Sequence, residues 1–351
     1  MQRIKNYGSF LQAFGLKMTV ENLGHEVEFV DYKIEKPIVE YKEKKALHRV
    51  GSRVYHKIKE NLLPQKGIVQ LYDTEFLKML GVTNKRNYRP RLDVLIIGSD
   101  EVFNCLQKNP NVGYSRELFG KENNSERLIS YAASCGFTTI EGIEKYNIKS
   151  ELTGLLSNFD NISVRDENSY NTIKELTGKN PMINVDPVII SNFDKYIPQK
   201  VELENYILVY AYANRIKNDR EILAIKQFAK KYNKKIVSIG AHQNWVDMKI
   251  EAGPFELLAY VKAADFIVTD TFHGSIYSIK YNKQFATITR STNRQKLTDL
   301  LRRFSVEKRE VKDINKLEEV LLSPIDFERV NEIIELETEK SINYLKENIR
   351  K

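Results

Sequence analysis

The sequence predicts an α/β protein of two doubly wound, Rossmann-like domains facing a cleft. Three observations carry this. Short apolar runs alternate with helix-patterned segments through both halves, the chain is 351 residues long, and Pro187, Pro198 and mixed polar residues interrupt the pattern between Asp186 and Leu203. Alternating strand and helix patterns build parallel sheets with helices on their faces. A single core stops growing at about 250–300 residues, so two domains are expected.

Taken in order, residues 9–23 have helical spacing and end at Gly24, a residue suited to the left-handed position just past a helix. A strand is predicted over 26–30, then strands at 94–97, 128–131 and 162–164, with helices around 143–156 and 168–176. In the second half, strands at 206–212, 235–239, 266–268 and 284–288 alternate with helices at 219–232, 254–263 and 273–281. Pro254 falls in a first helical turn, where its missing N–H costs nothing. Helices at 294–304 and 327–349 follow. This gives an N-terminal domain at 1–195, a C-terminal domain at 204–325 and a closing helix at 326–351.

Residues 41–63 stand apart. Lys42, Lys44, Lys45, Arg49, Arg53, Lys57 and Lys59 alternate with Leu47, Val50, Val54, Ile58 and Leu62 at helical spacing. That pattern is a basic amphipathic helix, read as a surface helix with a solvated face. Lying on anionic lipid is its alternative use. The net charge of +8 admits nucleic acid, an anionic small substrate or an anionic membrane. The absence of helix-turn-helix, zinc-finger and aromatic–basic RNA patterns excludes the first.

Lys5, Asn6 and Gln12 interrupt the opening residues, so no signal peptide is read there. No apolar run approaches the roughly 20 residues that span a bilayer. A cytoplasmic location is expected, with 41–63 as the one candidate for peripheral contact at the inner membrane face. Cys105 and Cys135 are expected as reduced, packed thiols. His25, His48, His56 and His242 lack metal-ligand spacing, and no metal site is expected.

The most informative segment is Thr269-Asp270-Thr271-Phe272-His273-Gly274, a buried strand running straight into a helix. Ligands of open α/β sheets bind beyond the carboxyl ends of strands, where helix N-termini attract anions. Thr271 is placed to cap that helix, Gly274 to let a ligand approach the backbone, and His273 to face the crevice. The plainer reading is a capped turn with a hydrogen-bonded histidine, and the local pattern does not separate the two. Arg165 ends another strand and offers a planar fork for phosphate or carboxylate, or else a salt bridge to Asp166 or Glu167. Ser99, Asp100 and Asn104 follow the strand at 94–97, where they suit sugar hydroxyls or a polar turn. Ser134 sits among small residues that mark close packing, and Asn6 and Gly8 form a turn before the first helix.

In order, the stretches 6–14, 23–32, 93–104, 129–136, 162–166, 185–187 and 255–285 resemble the polysaccharide pyruvyl transferase family, most recognisably in the block 269–275 that ends at Ser275. The resemblance implies a fold similar to the GT-B glycosyltransferases, with the N-terminal domain on the acceptor side and the C-terminal domain on the donor side. It implies transfer of pyruvate from phosphoenolpyruvate, as co-substrate, to a sugar, with no metal or organic cofactor. His273 and Arg165 match the family's histidine and a donor-binding arginine. Thr271 stands where some members carry a second arginine, so another cation is needed, with Arg294 or Arg290 as candidates. The family also opens with a strand that this sequence lacks, so an upstream start or a sheet without an inner strand is expected.

His273 is therefore the expected acid or base, Arg165 and the helix start at His273-Gly274 the anion holders, and Asn6, Gly8, Ser99, Asp100, Asn104, Ser134, Asp270, Thr271, Ser275 and Arg294 the further substrate-binding candidates. Two other functions remain open at this point: a GT-B-like glycosyltransferase using a nucleotide sugar, and a catalytically silent carbohydrate-binding or assembly protein.

Overall fold

The computed structural model describes residues 2–39, 70–107, 113–213, 215–241 and 243–350. The expected helix at 41–63, with His48, His56 and His242, lies outside the described residues.

The first domain is a parallel sheet of β1 (Leu92–Asp100), β2 (Ser125–Ala133), β3 (Ser163–Val164) and β4 (Met182–Ile183), in that order. Helix α1 (Tyr7–Asn22) and the C-terminal helix cover one face, where Leu16 and Val20 meet Ile129, Tyr131, Tyr344 and Leu345. Helices α2 (Ile140–Lys145), α3 (Lys149–Leu156) and α4 (Glu167–Thr177) cover the other. The single helix expected over 143–156 is two, because Asn147 adopts a left-handed φ of 54° and turns the chain between them.

β1 pairs with β2 on one side. Along its other edge runs a cavity of about 1650 Å³, bounded across the gap by residues 24–32. The strand expected over 26–30 therefore makes no ladder among the described residues; Asp31 forms a bridge to Tyr88 instead. A carbonyl or N–H without a ladder partner needs water or a side chain, and the side chain of Asn87 answers Phe29 O at 3.1 Å.

After α5 (Pro187–Ile190), the second domain follows the expected alternation: β5 (Tyr206–Tyr210), α6 (Asp219–Lys231), β6 (Lys235–Ile239), β7 (Met248–Ile250), α7 (Pro254–Ala263), β8 (Phe266–Thr269), α8 (Phe272–Lys280), β9 (Gln284–Thr287), α9 (Arg294–Arg303) and α10 (Leu317–Leu322). Its five parallel strands run β7-β6-β5-β8-β9. The order reverses between β5 and β8, and such a switch point opens a crevice at the carboxyl ends of the strands. The C-terminal helix α11 (Phe327–Ile349) then crosses back to the first domain, where Tyr344 Oη donates to Ser130 O at 2.9 Å. Among the described residues no helix is long and apolar enough to cross a membrane.

Helix α1 joins the two domains. A helix on a domain surface buries one stripe, whereas one wedged between domains is apolar all round; α1 is buried from Tyr7 through Leu16 almost without a break. Phe10 and Phe14 stack on each other and meet Phe255 of α7 edge-on at 5.7 and 5.6 Å. Tyr7 Oη donates to Ala252 O at 2.7 Å. This packing brings the start of α1 against the start of α8.

Candidate functional site

The strand end at Thr269 and the helix start at Phe272 form as expected. Thr271 takes the extended conformation of an N-cap, and its Oγ1 accepts from Gly274 N at 2.9 Å. Gly274 is required by packing: a Cβ there would overlap the Thr269 side chain. Ser275 is fully buried, with its Oγ donating to Thr271 O and contacting Thr287 Oγ1 at 2.9 Å. Thr271, Gly274 and Ser275 thus build the turn, and their polar atoms are committed within it.

His273 is presented to the other domain. Its ring lies on Gly8, so closely that a Cβ at position 8 would overlap the imidazole. Its Nε2 is buried, finds no hydrogen-bond partner, and stands 3.7 Å from Oδ2 of Asp186. That oxygen accepts from Nη1 of Arg165 at 2.8 Å. The guanidinium of Arg165 lies 4.3 Å over the Phe272 ring, and its Nε has no partner. The alternative salt bridge to Asp166 or Glu167 does not form: Asp166 caps α4 through Ser169 N, and Glu167 pairs with Arg302.

Charge in this cluster is set by burial against pairing. Burial pushes the His273 imidazole below its ordinary value, Arg165 and Lys296 push it further, and Asp186 and Asp100 oppose them. The imidazole is therefore neutral near neutral pH. Burial works hardest against the Arg165 charge, but Asp186, Asp100, Asp166 and Glu101 together outweigh it and raise that pKa.

Another cation beside this cluster is Lys296, on α9, which the sequence did not single out. Its Nζ donates to Oε1 of Glu101 at 2.6 Å across the domain boundary and stands 5.9 Å from the Phe272 ring. Burial opposes the Glu101 carboxylate, yet Lys296, with Asn104 and Arg165, holds its carboxyl down at about 2. Arg294, the cation expected from the sequence, instead pairs with Glu310 and is mostly exposed. Arg294 and Lys296 are two residues apart on α9, so the helical period turns them different ways.

The N-terminal candidates fall into two groups. Asn104 Nδ2 supports Glu101 at 2.8 Å, and Ser9 Oγ donates to Asp100 Oδ2 at 3.3 Å, so this loop borders the His273 cluster. Asn6 caps α1 through Ser9 N, Ser99 accepts from Asp100 N, and Ser134 donates to Asp166 at 2.6 Å. These three are spent on local structure. Asp270, behind the turn, is fully buried; its Oδ1 accepts from Tyr212 N at 3.2 Å and its Oδ2 has no partner. Burial raises its carboxyl to about 6, although Arg215 and Arg290 pull the other way. Cys105 and Cys135 are free and buried, with thiols pushed upward by that burial. Among the described residues no cluster of His, Cys, Asp and Glu is arranged to hold a metal ion.

The cavity beside Arg165, Asp186 and Lys296 measures about 10 Å³, room for one water at most. Among the described residues, Nε of Arg165, Nε2 of His273, Oδ2 of Asp270, Nη1 of Arg215 and Nε of Arg290 are buried polar atoms without hydrogen-bond partners. Buried polar groups are hydrogen-bonded in the large majority of cases, so a concentration of exceptions marks a place built for something other than stability.

Comparison with solved structures shows the fold. The MnaA–UDP co-structure from S. aureus superposes with a TM-score of 0.51 at 10% identity, covering 97% of this chain and 94% of that one. The UDP-GlcNAc 2-epimerase of Neisseria meningitidis, bound to UDP-GlcNAc, gives 0.47 at 11% identity over 96% and 97% of the two chains. A UDP-N-acetylglucosamine 2-epimerase structure from Listeria monocytogenes gives 0.47 at 10% over 98% and 89%. The architecture is that of the GT-B enzymes. No curated protein matches the chain. The family model for polysaccharide pyruvyl transferase matches residues 6–292, well over half the sequence, and spans Gly8, Arg165, Asp186 and His273 alike; the chain belongs to that family of transferases.

Proposed function

We propose that this enzyme moves pyruvate from phosphoenolpyruvate onto two hydroxyls of a sugar in a surface or exopolysaccharide unit, forming a pyruvyl ketal. The observation that carries this is the pairing of a neutral His273 imidazole, its Nε2 unpartnered among the described residues, with the buried Arg165 and the part-buried Lys296. Cations suit the donor's carboxylate and phosphate. A neutral imidazole suits proton removal from a hydroxyl, worth roughly 10²–10⁴-fold.

The chemistry balances as follows. A proton adds to C3 of the enol, leaving C2 electron-poor. A sugar hydroxyl attacks C2 and passes its proton to His273. The bond from C2 to the phosphate oxygen then breaks, and phosphate leaves with the electron pair and takes up a proton. A second hydroxyl attacks C2 and loses its proton, which closes the ketal. Two protons leave the hydroxyls, one enters C3 and one leaves with phosphate. No metal or organic cofactor takes part in this scheme. The enzyme is taken as cytoplasmic, with lipid-linked sugars among the acceptors to be tried.

The test is incubation of the protein with phosphoenolpyruvate and a panel of nitrophenyl and lipid-linked glycosides, following phosphate release and the mass of the glycoside. Parallel reactions with nucleotide sugars serve as the contrast. Phosphate release matched by a pyruvylated product is expected. Sugar transfer from a nucleotide donor without use of phosphoenolpyruvate would overturn the reading.

A further inference from the structure

The cations of the crevice differ in what they are tied to. Arg165 is bonded to Asp186 and Lys296 to Glu101. Arg290 grips Glu221 through both ends of its fork, at 2.5 and 2.9 Å, and Arg294 pairs with Glu310. Among these described cations, Arg215 makes no side-chain hydrogen bond. Its nearest carboxylate oxygen is Oδ2 of Asp270, 3.8 Å from Nη1 and beyond hydrogen-bond range. Nη1 is buried without a partner, while the side chain as a whole keeps 35% of its surface.

An arginine with idle donors on a floppy loop would mean little. The loop of Arg215 is held from four directions. Tyr212 N donates to Asp270 Oδ1 at 3.2 Å, and Gln243 Nε2 donates to Tyr212 O at 3.2 Å. Arg290 Nη2 donates to the backbone oxygen of Arg215 itself at 3.2 Å, and Trp245 Nε1 donates to Ile216 O at 3.0 Å. The guanidinium then lies over the Tyr212 ring, its Cζ 4.6 Å from the ring centre. A contact over the ring restrains the guanidinium while leaving its donors available, an arrangement suited to a planar or tetrahedral oxyanion. Supporting hydrogen bonds that orient a side chain without consuming it are how binding sites are preorganised.

The position agrees. Arg215 follows β5 and Asp270 follows β8, the two strands between which the sheet order reverses. Tyr212, which carries Arg215, feels the charges of Lys296 and Glu101, so this loop borders the His273 cluster. The partnerless Oδ2 of Asp270 lies beneath, 3.8 Å from Arg215 and 4.0 Å from Nε of Arg290. It keeps the guanidinium aimed without neutralising it by direct contact.

We propose that Arg215 is the donor-phosphate clamp of this enzyme, binding the phosphate group of the donor and inorganic phosphate as product, and so supplying the cation that Thr271 does not. Asp270 acts as its positioning residue. The proposal rests on the pyruvyl-transfer reading for the donor's identity, but phosphate binding at Arg215 can be measured without it.

The test uses the whole protein with Arg215→Ala and Arg215→Lys, each checked for a cooperative thermal transition. Binding of inorganic phosphate is measured by calorimetry, and KM and kcat for phosphoenolpyruvate by phosphate release. Both variants are expected to lose at least tenfold in phosphate affinity and to raise KM for phosphoenolpyruvate by a similar factor, with kcat within a few-fold of the parent. Lysine fails because a point charge cannot reproduce the fork. Unchanged phosphate affinity in Arg215→Ala, or no phosphate binding by the parent, overturns the proposal. Phosphate binding that depends on Arg215, in a protein that never turns over phosphoenolpyruvate, would keep the clamp and discard the donor assignment.

Discussion

Nε2 of His273 and Nη1 of Arg165 converge on one oxygen, Oδ2 of Asp186, from 3.7 and 2.8 Å. His273 comes from the second domain and Arg165 from the first, so Asp186 is the point where the two halves of the site meet. Its other oxygen accepts from Val188 N at 3.1 Å and caps α5. One carboxylate thus fixes a helix, balances a buried guanidinium and biases an imidazole.

Removing it separates these roles. Asp186→Ala leaves Arg165 buried without its hydrogen-bonded counter-charge, a loss of about 3–5 kcal/mol for a broken buried pair, and urea unfolding should show it. Asp186→Asn keeps the shape and the cap. Because Asp186 opposes the burial that depresses the imidazole, His273 in Asp186→Asn should titrate at lower pH than in the parent, read from its ring proton resonances.

His273→Gln should fold like the parent and lose transfer by roughly 10²–10⁴-fold. In the parent, the depressed imidazole pKa puts the acid limb of kcat below the ordinary histidine value of 6.5, and activity should be level from there through neutrality. A limb centred above 6.5 would contradict a neutral resting imidazole.

Gly8 tests whether ring placement matters apart from ring chemistry. Gly8→Ala favours α1 by about 1 kcal/mol on propensity but drives a methyl into the His273 ring. Displacing a catalytic group by about 1 Å can cost 10²-fold. Activity should fall by about that much in a protein that still folds. In a His273→Gln background the same change should add little, since coupled residues do not add.

The fold was legible wherever burial set a pattern. β5, β6, β8 and β9 are apolar runs shielded on both faces, and α6 and α9 have one dry stripe each. What escaped was set by long-range partners. Residues 26–30 have strand composition, but a strand needs a neighbour, and beside β1 lies a cavity. In the site, His273 and Arg165 announce themselves at strand ends. Asp186 was hidden by Pro187, since an acidic residue before a first-turn proline reads as a cap, and it is one. Lys296 and Arg215 carry no local signal at all. Each acquires meaning from a residue far along the chain: Lys296 from Glu101, Arg215 from Asp270. The helical spacing on α9 separates Lys296 from Arg294, but that sequence does not reveal which face meets the other domain.

Asp270 gives a prediction independent of turnover. In the folded protein its carboxyl titrates at about 6, against 3.8 ordinarily, with burial as the main cause. Between these values the native state holds a proton that the unfolded chain has shed. Stability from this group is therefore full below 3.8, falls as pH rises through the window, and is gone above about 6. The span corresponds to about 3 kcal/mol. Asp270→Asn, which has no proton to lose, should gain stability relative to the parent by up to that amount between pH 4 and pH 7, read from urea unfolding at each pH. Arg215 is one of the charges holding the Asp270 carboxyl down, so Arg215→Ala should carry the parent's decline to higher pH. A stability difference between Asp270→Asn and the parent that stays flat across this range would mean that Asp270 is ionised throughout, and that the Arg215 loop rests on a fixed negative charge.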